Sequence, residues 1–419
     1  MIEETELLRE SLGVELEEER KEVLRRALII TVGTSASIHI FSRLMFMYPE
    51  IILNNTLCIT ETSKDMIDEA INVIAEGYKK IYSARRGVSE RIYAGRFPVT
   101  TLISKLKSDK FAFAEYGGAN IPHHGLELYL RKRSEFIEHV RNIVERDNCK
   151  VAIILGCAGK GSATLQAPAI TADLMKECLE TPGMPVPIAF ITLPFRANRA
   201  GTINAQHTLK FLAKPEAYEN LIKVPVETPI PTVLIDYERA LDAYFYLTKE
   251  KPKRITMNAV FARAVDAMNI VLSTFLKALN YPRLCSPPID PSDLLSLISM
   301  KGKVGVLNYT MRDNIDELMA KHSHDLDVLV SMRTDPMPTE VNVLTVFMAK
   351  EVPLEAMDAL DAYYTAKGAK NFLFIGLNKD AKAIIASLMY GFDPLAISPS
   401  MTPKAYRWTE RIKRALKFW

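Results

Sequence analysis

The sequence predicts an α/β protein: a parallel, doubly wound sheet, then one long helix, then a second and smaller α/β domain. Three observations carry this. A short apolar run, a turn of small residues and a helical stretch recur in that order through residues 27–254. Residues 255–280 then place apolar side chains at spacings of three and four around a wide face. Beyond a stretch broken by Pro282, Pro287, Pro288 and Pro291, further apolar runs follow with helical stretches between them.

Taken in order, residues 1–26 hold nine Glu against five Lys or Arg. Leu7, Leu8, Leu12, Leu16 and Val23 recur there at helical spacing, which predicts a peripheral amphipathic helix. Residues 27–32 form a short apolar run, broken only by Thr31, that stops at Gly33, the pattern of a strand covered on both faces. Thr34, Ser35, Ala36 and Ser37 make the turn, and a helix follows from Ile38. Runs at 56–60, 150–155, 187–193 and 232–235 repeat the pattern, each ending in a loop that leads to a helix. In parallel sheets ligands bind at the carboxyl ends of the strands, where these loops lie. After the long helix, runs at 304–307, 326–332, 341–349, 372–377 and 384–390 are separated by helical stretches near 312–321, 354–367 and 379–383. The chain thus divides into an extension (1–26), a first domain (27–254), the long helix (255–285), a second domain (286–396) and a tail (397–419).

Composition narrows the function. Lys plus Arg number 53 against 50 Asp plus Glu, a net charge of +3, which argues against nucleic-acid binding by the body of the protein. The five cysteines form no C-x-x-C pair and read as reduced, buried thiols, and the seven histidines do not complete a zinc finger. No run of 18 apolar residues occurs and the first residues are acidic, so a soluble, cytoplasmic protein is expected. In the tail, Tyr406, Trp408, Ile412, Leu416, Phe418 and Trp419 interleave with six basic residues across 403–419. That pattern suits a membrane surface, a membrane adaptor, a segregation partner, or docking on the protein itself.

The loop Gly156–Thr164 is the strongest local signal. Its glycines let backbone approach a ligand, and the helix after it offers free N–H groups and a positive dipole end; Ser162 and Thr164 add hydroxyls. Phosphate is the natural guest, and a plain strand-to-helix turn is the alternative. Gly161 separates Lys160 from Ser162, so this is no Walker A loop, and the segment after Gly33 is no G-x-G-x-x-G. Gly117-Gly118-Ala119-Asn120-Ile121-Pro122 is a second glycine-rich turn, either structural or part of a phosphate cradle shared with Gly33–Ser37. Asp290 and Asp293 read either as helix-capping residues, with Pro291 at the first helical position, or as a carboxylate pair that polarises water or binds a metal.

These segments, in this order, resemble the FtsZ/tubulin superfamily. Gly33–Ser37 resembles its first loop, and Gly117–Pro122 its glycine-rich loop ending in Asn-Pro. Gly159-Lys160-Gly161-Ser162-Ala163-Thr164, followed by Leu165-Gln166-Ala167-Pro168, resembles the signature Gly-Gly-Gly-Thr-Gly-Ser/Thr-Gly and its Ala-Ala-Pro. Thr192–Phe195 resembles Thr-Lys-Pro-Phe, residues 255–280 the central helix, and 288–294 the Asp-bearing loop. The resemblance covers roughly residues 27–393.

It implies a Rossmann-like GTPase domain joined by the central helix to a smaller C-terminal domain. It also implies GTP or GDP with Mg2+ as cofactors, and a homopolymer built head to tail whose active site the next subunit completes, with a role in division, segregation or shape. Carried over residue by residue, Asp290 and Asp293 orient the attacking water. Gly159, Lys160, Gly161, Ser162, Ala163 and Thr164 hold the phosphates, together with Gly33, Thr34 and Ser35. Gly118, Ala119 and Asn120 close the γ-phosphate end, Asp236 lies near the ribose, and Phe261 stacks on guanine. Asn198 stands where the family has Glu, Lys160 replaces a signature Gly, and Val265 replaces the Asp or Asn that reads guanine, with Asp266 one step on. Those departures leave two alternatives: a tubulin-like protein that binds nucleotide without hydrolysing it, and, more remotely, a dinucleotide enzyme.

Overall fold

The computed structural model describes residues 25–48, 54–93, 99–115, 121–195, 197–218, 228–248, 256–281, 285–286, 289–320, 340–350, 352–366, 368–377 and 383–397. The expected helix within 1–24, the turn residues Gly118, Ala119 and Asn120, the run 326–332, positions 379–382 and the tail 403–419 lie outside them.

One eleven-stranded sheet runs through the described residues. Its first six strands are β1 (Ala27–Val32), β2 (Thr56–Ser63), β3 (Lys110–Ala114), β4 (Val151–Cys157), β5 (Val186–Leu193) and β6 (Thr232–Asp236). They are followed by β7 (Cys285–Ser286), β8 (Val304–Arg312), β9 (Val341–Ala349), β10 (Ala369–Leu377) and β11 (Ala383–Phe392). The spatial order is β3-β2-β1-β4-β5-β6-β8-β11-β9-β10-β7. From β3 to β8 every pairing is parallel, so the carboxyl ends of these strands share one edge. Beyond β8, β11 enters antiparallel between β8 and β9.

Strand alternation divides the core. Ala27 and Ile29 of β1 face the helix Met257–Asn280 and the first helical segment, while Leu28, Ile30 and Val32 face the helices Pro122–Arg131, Arg133–Asp147 and Ala163–Glu180. The central helix Met257–Asn280 is capped by Thr256, whose hydroxyl accepts the Ala259 N–H at 3.2 Å. Its last residue is tied to the start of β1. Asn280 Nδ2 donates to the Arg25 carbonyl at 2.8 Å, Asn55 Nδ2 donates to Asn280 Oδ1 at 2.9 Å, and Asn55 Oδ1 accepts the Ala27 N–H at 2.8 Å.

The structure lengthens several expected elements. β2 absorbs Glu61, Thr62 and Ser63 because Ser63 pairs with Ala114 of β3, a strand not read from the sequence. β8 continues to Arg312 against β11, taking the start of the helix expected at 312. Residue 383, expected at a helix end, instead opens β11.

Candidate functional site

The shared carboxyl edge brings the first loop, the signature loop and the β5 and β6 ends together. The chain leaves β1 at Gly33, whose φ of +83° is left-handed and whose carbonyl accepts the amides of Ala36 (3.0 Å) and Ser37 (3.1 Å). A Cβ there would stand 3.1 Å from the Ala163 Cβ, so the two loops touch. Thr34 and Ser35 are half-buried in this turn.

Past β4, Ala158 donates its N–H to the Thr192 carbonyl at 2.9 Å, and the chain turns through Gly159, Lys160 and Gly161 into the helix Ala163–Glu180. Ser162 occupies the N-cap without using its side chain to cap, the Thr164 amide donates to the Gly161 carbonyl at 3.2 Å, and the positive dipole end of the helix faces the loop. Ala163 is buried beneath Gly33, and Lys160 is exposed at the mouth. Thr164 is fully buried and its hydroxyl donates to the Ala158 carbonyl at 2.7 Å, so this side chain shapes the loop and is not free for a ligand. The helix Pro122–Arg131, which follows the second glycine-rich turn, is pressed on the signature loop. A Cβ on Gly125 would lie 2.3 Å from the Ser162 Cα, and Gln166 Nε2 donates to the Gly125 carbonyl at 2.7 Å.

On β2 and the first loop, Glu61 Oε1 and Thr34 Oγ1 are buried without a hydrogen-bond partner. Glu61 is 2% exposed, and burial pushes its carboxyl up to about 7 against the partial relief given by the nearby Thr34 hydroxyl and the Thr62 amide. Sequence reading missed Glu61, which looked like an ordinary turn residue. Among the described residues no three His, Cys, Asp or Glu side chains converge as a metal cage. Mg2+ in phosphate sites takes one or two protein oxygens plus phosphate and water, and Glu61 with Thr34 matches that donor chemistry.

At the β5 end, Asn198 caps the helix Arg199–Ala213: its Oδ1 accepts the Gly201 N–H at 3.0 Å. At the β6 end, Asp236 is buried; Oδ1 accepts the Glu238 N–H at 2.9 Å, while Oδ2 lies 3.7 Å from Arg239 and has no hydrogen bond. A row of rings borders the cleft from there. Phe195 stacks on Tyr237 at 5.4 Å, Tyr237 meets Phe261 edge-on at 4.9 Å, and Phe261 meets His39 edge-on at 5.3 Å. Phe261, half-buried, is thus the ring that links Tyr237 to His39 in this row. Val265 is fully buried in the core. Asp266 is also buried, and Arg43 binds it through Nε to Oδ1 and through Nη2 to Oδ2, the latter at 2.7 Å.

Asp290 and Asp293 stand at the other end of the sheet. Asp290 caps the helix Pro291–Ile298: Oδ1 accepts the Ser292 N–H at 2.9 Å, and Asp293 Oδ2 accepts the Asp290 N–H at 2.8 Å, a complete capping box. The Ser292 amide and hydroxyl hold the Asp290 carboxyl below its usual range. Arg25, which precedes β1, donates from Nη1 to the Ile289 carbonyl at 2.7 Å and lies 3.6 Å from Asp290 Oδ2. The aspartates thus sit beside the start of β1 while Gly33 ends it. Six residues of strand separate the two by about 20 Å. Within one copy these carboxylates do not reach the phosphate-type loops.

No family model and no curated protein matches the sequence. Solved structures do match in shape. CetZ from Methanosaeta thermophila strain DSM 6194 gives a TM-score of 0.57 at 14% identity over 94% of this chain and 92% of that one. CetZ2 from Haloferax volcanii, a GTPγS-bound protofilament, gives 0.56 at 14% over 94% and 98%. A tryptophan-to-tyrosine mutant of FtsZ from M. jannaschii gives 0.56 at 13% over 91% and 95%. With seven strands parallel, the central helix behind them and the antiparallel pairings beyond, this chain has the FtsZ/tubulin fold.

Proposed function

We propose that the chain binds a guanine nucleotide at the carboxyl ends of β1, β4, β5 and β6, hydrolyses it, and assembles head to tail into filaments. The observation that supports this is that the glycine-containing loop before Ala163–Glu180 lies at one end of the sheet and Asp290 with Asp293 at the other. Stacking one copy on the next brings the aspartates of the second over the cradle of the first. Solved neighbours support the reading: CetZ2 is a GTPγS-bound protofilament, CetZ1 from Haloferax volcanii a GDP-bound monomer, and TubZ of Bacillus thuringiensis serovar israelensis a GTPγS-form protofilament.

In this reading the helix N-terminus after Gly161, with Lys160, binds the phosphates through donors that the fold has already set in place. Thr34 and Glu61 would hold the cation, which neutralises phosphate charge when bound. Phe261 stacks the base and Asp236 faces the ribose. The partner copy's Asp290 and Asp293 carboxylates orient the attacking water and accept its proton. The domain division, with the sheet's mixed lobe carrying the Asp-bearing loop, is part of the same proposal.

A second reading, nucleotide binding without hydrolysis, is favoured by one observation: Asp290 and Asp293 are both engaged in a capping box. Releasing and identifying the nucleotide carried by the purified protein, then sedimenting the protein with GTP, tests the first step. Guanine nucleotide and GTP-dependent pelleting are expected. A nucleotide-free protein that stays monomeric at high concentration with GTP overturns the proposal.

A further inference from the structure

The position of the central helix expected to read guanine offers no free acceptor. Guanine presents N1–H and N2–H donors, which call for a carboxylate or amide acceptor. Val265 is apolar and fully buried. Asp266 spends both carboxylate oxygens on Arg43, and Arg263 Nη1 stands 3.8 Å from Oδ2. Asp266 is only 5% exposed, and withdrawing Arg43 from it would leave a buried, uncompensated charge.

An exposed polar side chain does meet Phe261. His39 lies at the outer end of the aromatic row, exposed, its ring edge-on to Phe261 at an interplanar angle of 77°. That contact sets the imidazole beside the ring on which the base would stack. Partial desolvation and the Lys160 ammonium hold the imidazole below its usual range, so it is neutral at neutral pH, with one nitrogen a donor and the other an acceptor.

We propose that His39 is the base-contacting, specificity-determining residue of the site, hydrogen-bonding the edge of a purine stacked on Phe261 and accepting guanine and hypoxanthine nearly alike. This rests on the nucleotide-binding reading above and goes beyond it. A neutral imidazole offers a single acceptor, so the guanine 2-amino group gains no dedicated partner, and a nucleotide lacking it loses little. Sites built with an acceptor for a substrate N–H discriminate far more sharply.

Displacement of a fluorescent N-methylanthraniloyl-GTP from the full-length chain tests this, with GTP, ITP and inorganic tripolyphosphate as competitors. GTP and ITP should differ by less than about threefold in the wild type. His39→Ala should weaken both about five- to tenfold and leave tripolyphosphate unchanged. His39→Gln, which keeps a donor and an acceptor, should recover most of the loss. If GTP and tripolyphosphate bind but His39→Ala binds GTP as tightly as the wild type, or if GTP exceeds ITP by a hundredfold, the role of His39 is overturned while nucleotide binding stands. If neither tripolyphosphate nor any nucleotide binds, both readings fall together.

Discussion

Replacing Glu61 by Gln should make the nucleotide-free protein more stable at alkaline pH and no more stable in acid. The carboxyl is 2% exposed, Oε1 has no partner, and burial raises its pKa from 4.5 to about 7. In the unfolded chain the group titrates near its ordinary value. Between these two values the folded state holds the proton that the unfolded state has lost, so stability falls as pH rises through the window. The shift of about 2.5 pH units corresponds to about 3 kcal/mol, absent below pH 4.5 and fully felt above pH 7. Glutamine keeps an oxygen for the Thr62 amide, held at 3.3 Å, and presents an N–H to the Thr34 hydroxyl, while carrying no charge. Urea unfolding of wild type and Glu61→Gln from pH 5 to pH 8.5 measures the difference. The variant should gain about 3 kcal/mol at pH 8 and lose most of that advantage at pH 5. Equal stability at pH 8, or an advantage that does not shrink toward acid, refutes the reasoning. A native protein that tolerates this cost points to a carboxylate kept for a ligand's charge.

Three further substitutions probe the frame of the site. Gly125→Ala places a Cβ 2.3 Å from the Ser162 Cα, well inside contact distance, so the helix must move off the signature loop; a loss of about 1–3 kcal/mol and at least tenfold weaker nucleotide binding are expected in unfolding and titration experiments. Asp290→Ala removes the cap on Pro291–Ile298 and should lower unfolding free energy by about 1 kcal/mol, whereas Asp290→Asn should cost only a few tenths yet abolish hydrolysis as fully. Active Asp290→Asn protein would remove that carboxylate from the chemistry. Arg43→Met leaves Asp266 buried with only the distant Arg263 and should cost about 3 kcal/mol, most of it recovered by adding Asp266→Leu; no recovery would mean that the loss came from packing around Arg43.

Much of the nucleotide-type lobe is legible in the sequence because its strands are covered on both faces. β1, β4 and β5 are largely apolar runs, β1 and β4 leading into small-residue turns, and their loops fall where parallel topology puts a ligand. β3 was not legible, since five residues with a Lys and partly exposed side chains resemble any loop. The capping chemistry of Asp290 was also readable locally, from Pro291 and Asp293. That these carboxylates stand a strand's length from Gly33 was not, because only the path of the sheet determines it. The base end was the least readable. Asp266 is held by Arg43, 223 positions away, and His39 meets Phe261 across a similar span. Pairings of this kind follow from packing, and local pattern carries no trace of them.

Mixing two crippled proteins asks whether two copies build the proposed active site between them. Asp290→Asn with Asp293→Asn keeps an intact cradle and loses the acidic pole; Lys160→Glu keeps the acidic pole and spoils the cradle. Each protein alone should release no phosphate from GTP, and the mixture should regain activity, since contacts between the two kinds unite an intact cradle with intact aspartates. A mixture as inactive as its components, beside a wild type whose activity per molecule stays constant on dilution, would contradict a site shared between subunits.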